Sequence, residues 1–127
     1  MRIDDLIGVP FLTHGRDAST GFDCYGLAIE VSKRMGHELP ELDYQKSDAI
    51  FLSADYHAVI KELGDKVKKV DDKKFGDLLL FKDKKGRAIH IGVSLEGNRF
   101  IHCDRFGVRV LNVEYYNKNY EVYRWQK

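Results

Sequence analysis

Residues 21–30 of this chain, Gly-Phe-Asp-Cys-Tyr-Gly-Leu-Ala-Ile-Glu, carry a cysteine into the first turn of a predicted helix. Aspartate commonly caps the free backbone N–H groups at a helix start, and Asp23 immediately precedes the cysteine. Apolar side chains then recur at the spacing of one helix face, and a glycine marks the end: Leu27, Ala28, Val31, Met35 and Gly36. The stretch therefore predicts a helix that begins at Cys24 and stops at Gly36.

Two interpretations of Cys24 follow from this position. A thiol at a helix N-terminus lies where unpaired N–H groups and the helix dipole favour the thiolate, so its pKa should be lowered and its nucleophilicity raised. Cys24 also shares the apolar face of the predicted helix, however, and free cysteine is among the most buried residue types. The stretch by itself leaves both a nucleophile and a core residue open.

The composition is that of an ordinary soluble protein. With 127 residues, of which 43% are hydrophobic, the chain is long enough for one domain, predicted to span residues 1–127. Twenty-one basic and 20 acidic residues give a net charge of +1, so bulk charge indicates neither a nucleic acid partner nor an anionic membrane.

The N-terminus and the hydropathy pattern bear on where the protein is made. The first five residues, Met-Arg-Ile-Asp-Asp, lack the apolar core of a signal peptide, and no apolar run approaches the length of a membrane span. We therefore expect synthesis in the cytoplasm, without membrane insertion. In that reducing compartment Cys24 and Cys103 should remain free thiols.

Helical patterns precede strand patterns along the chain. Residues 2–7 predict a short leading helix, residues 55–63 predict a second helix after the one at Cys24, and residues 41–53 have no clear period. About five strands follow, over residues 77–81, 88–95, 100–103, 108–113 and 120–125. This order predicts an α+β fold with helices on one face of an antiparallel sheet.

Two polar segments carry alternative interpretations. Residues 11–17 mix aromatic, glycine and polar residues, which suits either the wall of a site or a plain connector. Residues 66–74 interleave lysines with aspartates, so they could form a basic patch, but the mixed signs favour a solvated turn.

The second and third predicted strands, residues 88–95 and 100–103, form a hairpin that should bring two histidines together. Ile89, Ile91, Val93 and Leu95 alternate with polar or small residues and should face a core. Burying these together with Ile101 and Cys103 requires an odd-length turn, such as a three-residue turn containing Gly97. His90 and His102 then share the opposite face, as direct or diagonal neighbours close enough to hydrogen-bond.

A thiol and two imidazoles suggest two kinds of site. A thiolate at a helix start, an imidazole base and a second imidazole that orients the base follow the logic of covalent catalysis. Cys24, His90, His102 and an acidic residue could instead bind zinc, although the short ligand pairs of structural zinc motifs are lacking. The catalytic interpretation requires no cofactor.

Four ordered motifs resemble the NlpC-type cysteine peptidases, which cut bacterial cell-wall peptides. They are residues 21–27 (Gly-Phe-Asp-Cys-Tyr-Gly-Leu), 75–81 (Phe-Gly-Asp-Leu-Leu-Leu-Phe), 90–93 (His-Ile-Gly-Val) and 100–102 (Phe-Ile-His). The resemblance covers about residues 6–113 and implies a papain-like α+β fold, with a cysteine-bearing helix on a bent antiparallel sheet. It also implies that Cys24 is the nucleophile, His90 the general base and acid, and His102 the residue that orients His90.

The resemblance extends to substrate and partners. The usual substrate in that family is the peptide stem of peptidoglycan, commonly a γ-D-glutamyl bond to a diamino acid. Residues near the motifs are candidates for binding it: Thr13, His14, Asp23, Tyr25 and Gly92. Many relatives have an aromatic residue and a glycine pair where this chain has Thr-His-Gly at 13–15, so oxyanion stabilisation should depend more on backbone N–H groups near Cys24.

The Asp-Cys-Tyr-Gly-Leu variant, followed by Gly-His-Glu-Leu-Pro at 36–40, looks most like the branch found in phages and prophages. That likeness suggests phage tail proteins as partners, and delivery to the wall by lysis, a phage particle or another protein. It also supplies an alternative function: a catalytically silent assembly or binding domain of a phage tail.

Overall fold

The computed structural model describes residues 2–41 and 55–126. These residues form a short 3₁₀ turn at Asp4–Leu6, three α-helices, eight strands and a second 3₁₀ turn at Gly64–Lys66. The helices are α1 (Cys24–Arg34), α2 (His57–Leu63) and α3 (Val113–Tyr116). The strands are β1 (Arg16–Asp17), β2 (Gly21–Phe22), β3 (Val67–Val70), β4 (Leu78–Lys82), β5 (Ala88–Ser94), β6 (Arg99–Asp104), β7 (Gly107–Asn112) and β8 (Tyr120–Trp125).

The main sheet has six antiparallel strands in the order β3-β8-β4-β5-β6-β7, and β1 and β2 form a separate small hairpin. Helix α1 packs across β5 and β6, near the middle of this sheet. The main core lies between that helix and the sheet, and it contains Leu27, Val31, Leu78, Ile91 and Ile101. The predicted α+β architecture is confirmed.

Helix α1 begins where the sequence predicts. The Oδ1 atom of Asp23 accepts a hydrogen bond of 2.6 Å from the N–H of Gly26, which satisfies one of the free donors of the first turn. At the other end, Gly36 takes a φ of +90°, a left-handed conformation that glycine adopts without strain. Cys24 is thereby held in the first turn of the helix, over the sheet.

The β5–β6 hairpin confirms the predicted sharing of faces. The N–H of Leu95 bonds to the carbonyl of Arg99 across a three-residue turn at 96–98. Val93 pairs with Ile101 and Ser94 with Phe100. This register keeps Ile91, Val93, Leu95 and Ile101 in the main core, and it buries Cys103 there as predicted.

One expected core residue of this hairpin lies elsewhere. The β4–β5 register pairs Phe81 with His90 but Lys82 with Ala88, so Ile89 is an extra residue in a bulge. The bulge breaks the alternation of faces, which buries Ala88 and leaves the Ile89 side chain 45% exposed. The prediction that Ile89 faces the core is therefore wrong.

The segment predicted as a solvated turn also differs. Strand β3, over Val67–Val70, adds a sixth strand at the sheet edge by pairing with β8. Its two lysines are exposed while Val67 is buried, which suits an edge strand that must not recruit another chain. The sequence pattern did not reveal this strand because its two central residues are exposed lysines and only Val67 of its four residues is fully buried.

A smaller apolar cluster covers the opposite face of the sheet. It contains Leu79, Phe81, Phe100, Val113 and Val122, of which Val113 belongs to α3 rather than to the predicted last strand segment at 108–113. Residues 42–54, which include most of the stretch without a clear period, lie outside the described residues. None of the described helices is long and apolar enough to cross a membrane.

Candidate active site

Cys24 and His90 line one cleft of about 390 Å³ between the start of α1, the loop at 11–14 and the β6–β7 turn. The cleft is lined by Phe11, Thr13, His14, Asp23, Cys24, Tyr56, Ile89, His90, Cys103, Asp104 and Arg105. A groove of about 680 Å³ beside β8 is larger, but it is lined by neither cysteine and by no histidine.

The Cys24 thiol has a phenol as its neighbour. Its Sγ atom lies 3.2 Å from the hydroxyl oxygen of Tyr56, and either atom can donate the hydrogen bond. Within residues 2–41 and 55–126, no hydrogen bond joins Cys24 to His90. Tyr56 is buried and its ring stacks on Tyr25, with 5.6 Å between centroids, so the phenol is held against the sulfur.

The protonation of Cys24 differs from the expectation for a helix start. Burial raises the pKa of the thiol to about 11, and the negative charge of Asp23 acts in the same direction. The Tyr56 hydroxyl and the backbone N–H groups of Ile91 and Tyr25 offset only part of this effect. The predicted lowering of this pKa is therefore wrong for the free protein, because desolvation outweighs the helix terminus.

The two histidines form a hydrogen-bonded pair. The Nε2 atom of His90 lies 2.8 Å from the Nδ1 atom of His102, and the rings meet nearly perpendicularly. His102 is fully buried, and its Nε2 atom has no hydrogen-bond partner among the described residues. The pairing leaves Nδ1 of His90 as the ring nitrogen available to a group in the cleft.

Both imidazoles are neutral at neutral pH. Burial lowers the pKa of His90 to about 3, with a further lowering from the neighbouring His102. Burial also lowers the pKa of His102 to about 4, against the opposing influence of Asp104. The free site therefore combines a protonated thiol with neutral imidazoles.

Close backbone contacts hold the cysteine in place. A Cβ atom on Gly26 would collide with the carbonyl oxygen of Gly15, so only glycine lets the first turn of α1 approach the preceding loop. Arg16 strengthens the junction, because its Nη1 atom lies 2.7 Å from Oδ1 of Asp23 and also donates to the Gly15 carbonyl. The helix start and the cleft wall are thus one packed unit.

Comparison with known proteins bears on this arrangement. The model of the NlpC/P60 family matches residues 8–125. The chain belongs to the NlpC/P60 family. No curated protein sequence matches it.

Solved NlpC/P60 structures share this fold. The NlpC/p60 domain of the peptidoglycan hydrolase SagA is 25% identical with a TM-score of 0.60, over 93% of this chain and 89% of that one. An NlpC/P60 family protein from Bacillus cereus is 21% identical with a TM-score of 0.67, over 96% of this chain. A protein of this family from Staphylococcus aureus, similar to lipoprotein, is 23% identical with a TM-score of 0.58, over 91%. The chain covers 37% of each of the last two.

The predicted substrate-binding residues of this NlpC/P60 domain divide into two groups. Thr13, His14 and Asp23 line the cleft. Tyr25 is fully buried, with its hydroxyl donating to the carbonyl of Pro40, and Gly92 lies beneath Phe100 and His102. Neither residue lines the cleft: Tyr25 stacks on Tyr56, and the absence of a side chain at Gly92 makes room for His102.

Sequence reasoning missed five residues of the cleft: Tyr56, Ile89, Cys103, Asp104 and Arg105. Tyr56 comes 32 residues after Cys24, and no local spacing connects the two. Ile89 reaches the cleft only because of the bulge, and Arg105 lies in the turn between β6 and β7. The loop at 13–15 carries no aromatic residue, as the sequence shows, and the aromatic hydroxyl beside the thiol comes from Tyr56 at the start of α2.

The arrangement of these side chains also bears on the alternative prediction of a zinc site. Among the described residues, no group of three or more His, Cys, Asp or Glu side chains is arranged to hold a metal ion. Cys24 and Cys103 are both free thiols, as predicted, and the Sγ atom of Cys103 lies 3.2 Å from the carbonyl oxygen of Phe22.

Proposed function

We propose that this chain is a cysteine peptidase that hydrolyses an amide bond in the peptide stems of peptidoglycan. The observation that carries the proposal is that Cys24 and His90 line one cleft while His102 holds the far nitrogen of His90 at 2.8 Å. Membership of the NlpC/P60 family and likeness to a domain of a peptidoglycan hydrolase support the same activity.

The tautomers follow from the role of each ring. If Nδ1 of His90 is to accept the thiol proton, Nε2 of His90 must carry the hydrogen and donate to Nδ1 of His102. His102 then carries its own hydrogen on Nε2, the buried atom without a described partner. The edge of this ring contacts the ring of Tyr116, 4.9 Å away between centroids, which encloses the pair in an aromatic wall.

Because the free thiol is protonated, transfer of its proton accompanies attack on the substrate. The Cys24 proton passes to Nδ1 of His90 as the sulfur–carbon bond forms, and the carbonyl oxygen becomes an oxyanion. Imidazolium then donates that proton to the leaving amine as the carbon–nitrogen bond breaks. A water molecule, deprotonated by His90, attacks the thioester, and the thiol and a carboxylic acid are released.

Two donors are suited to the oxyanion and the sulfur. The backbone N–H of Cys24 belongs to the free donors of the first turn of α1. The Tyr56 hydroxyl, already 3.2 Å from Sγ, can donate to the sulfur as it becomes anionic. Tyr56 would thereby compensate for the aromatic residue that the loop at 13–15 lacks.

The test is mass spectrometry of defined stem peptides, including a γ-D-glutamyl-lysine bond, incubated with wild type, Cys24→Ala and Cys103→Ser. We expect two products from wild type and from Cys103→Ser, and none from Cys24→Ala at an unchanged melting temperature. Cys103→Ser is the matched control because it removes the other thiol while keeping a donor to Phe22. Full activity of Cys24→Ala would refute the nucleophile assignment.

A specific observation favours a second candidate, a catalytically silent binding domain. In the free protein the thiol hydrogen-bonds to Tyr56 and not, among the described residues, to His90. Binding of the same peptides by wild type without any product would support this candidate. Association with phage tail proteins, and access to the wall by lysis or a phage particle, remain predictions of the sequence.

A further inference from the structure

One charged side chain in the cleft, Arg105, has no charged partner among residues 2–41 and 55–126. Two carboxylates line the cleft, and each is neutralised: Asp23 by Arg16 at 2.7 Å and Asp104 by Arg109 at 2.9 Å. Arg105 lines the same cleft, yet within the described parts of the chain its guanidinium forms no ion pair and no side-chain hydrogen bond. The cleft thus presents one uncompensated positive charge near the thiol.

The turn around Arg105 holds that charge in position. The Arg105 guanidinium lies 4.8 Å from the ring centroid of Phe106, and the guanidinium of Arg109 lies 5.0 Å from the same ring. The N–H of Phe106 donates to Oδ1 of Asp104 at 2.9 Å, which fixes the turn. Phe106 is largely exposed, so its ring serves as a platform for the arginine rather than as part of the core.

We propose that Arg105 binds a free carboxylate of the substrate next to the scissile amide, and that the site therefore selects anionic peptides. The inference rests on the proposed function for the identity of the substrate. A planar guanidinium pairs with a carboxylate through two parallel hydrogen bonds, and such charged bonds discriminate strongly against a neutral isostere. In a γ-D-glutamyl peptide the α-carboxylate is that group, joined to the carbonyl under attack through three carbons, Cγ, Cβ and Cα.

The proposal separates two chemical forms of the same stem. Where the α-carboxylate of the γ-linked glutamate is free, Arg105 gains a partner. Where it is a carboxamide, as in isoglutamine, the guanidinium keeps only a neutral acceptor. We therefore expect the carboxylate form to bind and to react at least about tenfold better.

The test compares L-Ala-γ-D-Glu-L-Lys with its isoglutamine counterpart, by calorimetric affinity in the Cys24→Ala background and by kcat/KM with Cys24 present. Arg105→Gln should weaken binding of the carboxylate peptide about tenfold and leave the carboxamide peptide almost unchanged. Arg99→Gln is the matched control: it removes the same charge from an exposed position of β6 outside the cleft. It should change neither.

The outcomes distinguish this proposal from the one on which it rests. The carboxylate site is supported if Cys24→Ala binds the carboxylate peptide better than the carboxamide peptide and adding Arg105→Gln abolishes that difference. This holds even if wild type releases no product, and then only the peptidase assignment fails. Cleavage of both peptides at equal rates, with no effect of Arg105→Gln, overturns the carboxylate site and leaves the peptidase intact. An equal loss of affinity for both peptides in Arg105→Gln also overturns the carboxylate site, and so does a failure of both peptides to bind.

Discussion

The Nε2 atom of His90 on β5 lies 2.8 Å from the Nδ1 atom of His102 on the neighbouring strand β6. The contact is diagonal across the β5–β6 hairpin. It depends on Gly92, because a Cβ atom there would lie 3.4 Å from Cβ of His102 and 3.0 Å from the Phe100 ring. This pair decides which nitrogen of His90 faces the thiol.

Substitution of His102 should impair turnover more than binding. In His102→Ala we expect kcat to fall about 10²-fold with little change in KM, because His90 loses the acceptor that fixes its tautomer. His102→Gln, which offers an amide oxygen as acceptor, should recover part of the rate. Steady-state kinetics on a stem peptide make the comparison, with circular dichroism as the control for folding. Equal rates for wild type and His102→Ala would remove His102 from the site.

The rate at which iodoacetamide alkylates Cys24 should rise with pH, because the thiol loses its proton only at alkaline pH. Since burial raises the pKa of this thiol to about 11, the alkylation rate should climb about tenfold per pH unit from neutral pH upward. Tyr56→Phe removes a hydrogen bond to the sulfur and should slow alkylation at a fixed alkaline pH. Tyr123→Phe, which removes a hydroxyl bonded to Glu121 outside the cleft, is the control. A rate already at its plateau at mildly acidic pH would contradict this protonation state.

The free energy of unfolding should fall on acidification through the histidine range. An unfolded histidine titrates near 6.5, whereas the pKa values of His90 and His102 are lowered to about 3 and about 4 by burial. Between pH 6.5 and 4 the unfolded chain therefore binds more protons, so stability is present above pH 6.5 and is lost as the pH falls.

Each of the two histidines contributes a slope of up to about 1.4 kcal/mol per pH unit in that window. Urea titrations at several pH values measure it. The double variant His90→Gln/His102→Gln should have a visibly shallower slope than wild type. Identical slopes for the two proteins would show that these histidines are not buried in the neutral form.

Gly26→Ala should destabilise the protein, contrary to the usual effect of this change inside a helix. Alanine normally stabilises a helix interior relative to glycine by about 1 kcal/mol. Here its Cβ would collide with the Gly15 carbonyl, which belongs to rigid backbone. Thermal denaturation should show a lowered melting temperature, and kcat should fall because the cysteine is displaced. A raised melting temperature with full activity would mean that the loop is free to move away.

Local sequence chemistry was sufficient for much of the fold. The cap at Asp23, the helix from Cys24 and the five predicted strands depend on propensities and on alternation over a few residues. The parity of the β5–β6 hairpin likewise follows from burying Val93 and Ile101 together, which was enough to bring His90 and His102 to one face. Strand β3 escaped prediction because an edge strand whose two central residues are exposed lysines carries little hydrophobic signal.

The sequence by itself thus determined the family, the sheet and the pairing of the two histidines, because each depends on patterns within short stretches of chain. Only the tertiary structure decided the environment of Cys24. The Tyr56 hydroxyl, the Ile89 side chain that the bulge turns into the cleft, and the guanidinium of Arg105 all come from parts of the chain far from Cys24 in sequence. The thiol pKa was predicted with the wrong sign for the same reason: a helix start is a local feature, whereas desolvation is the sum of everything packed around the sulfur.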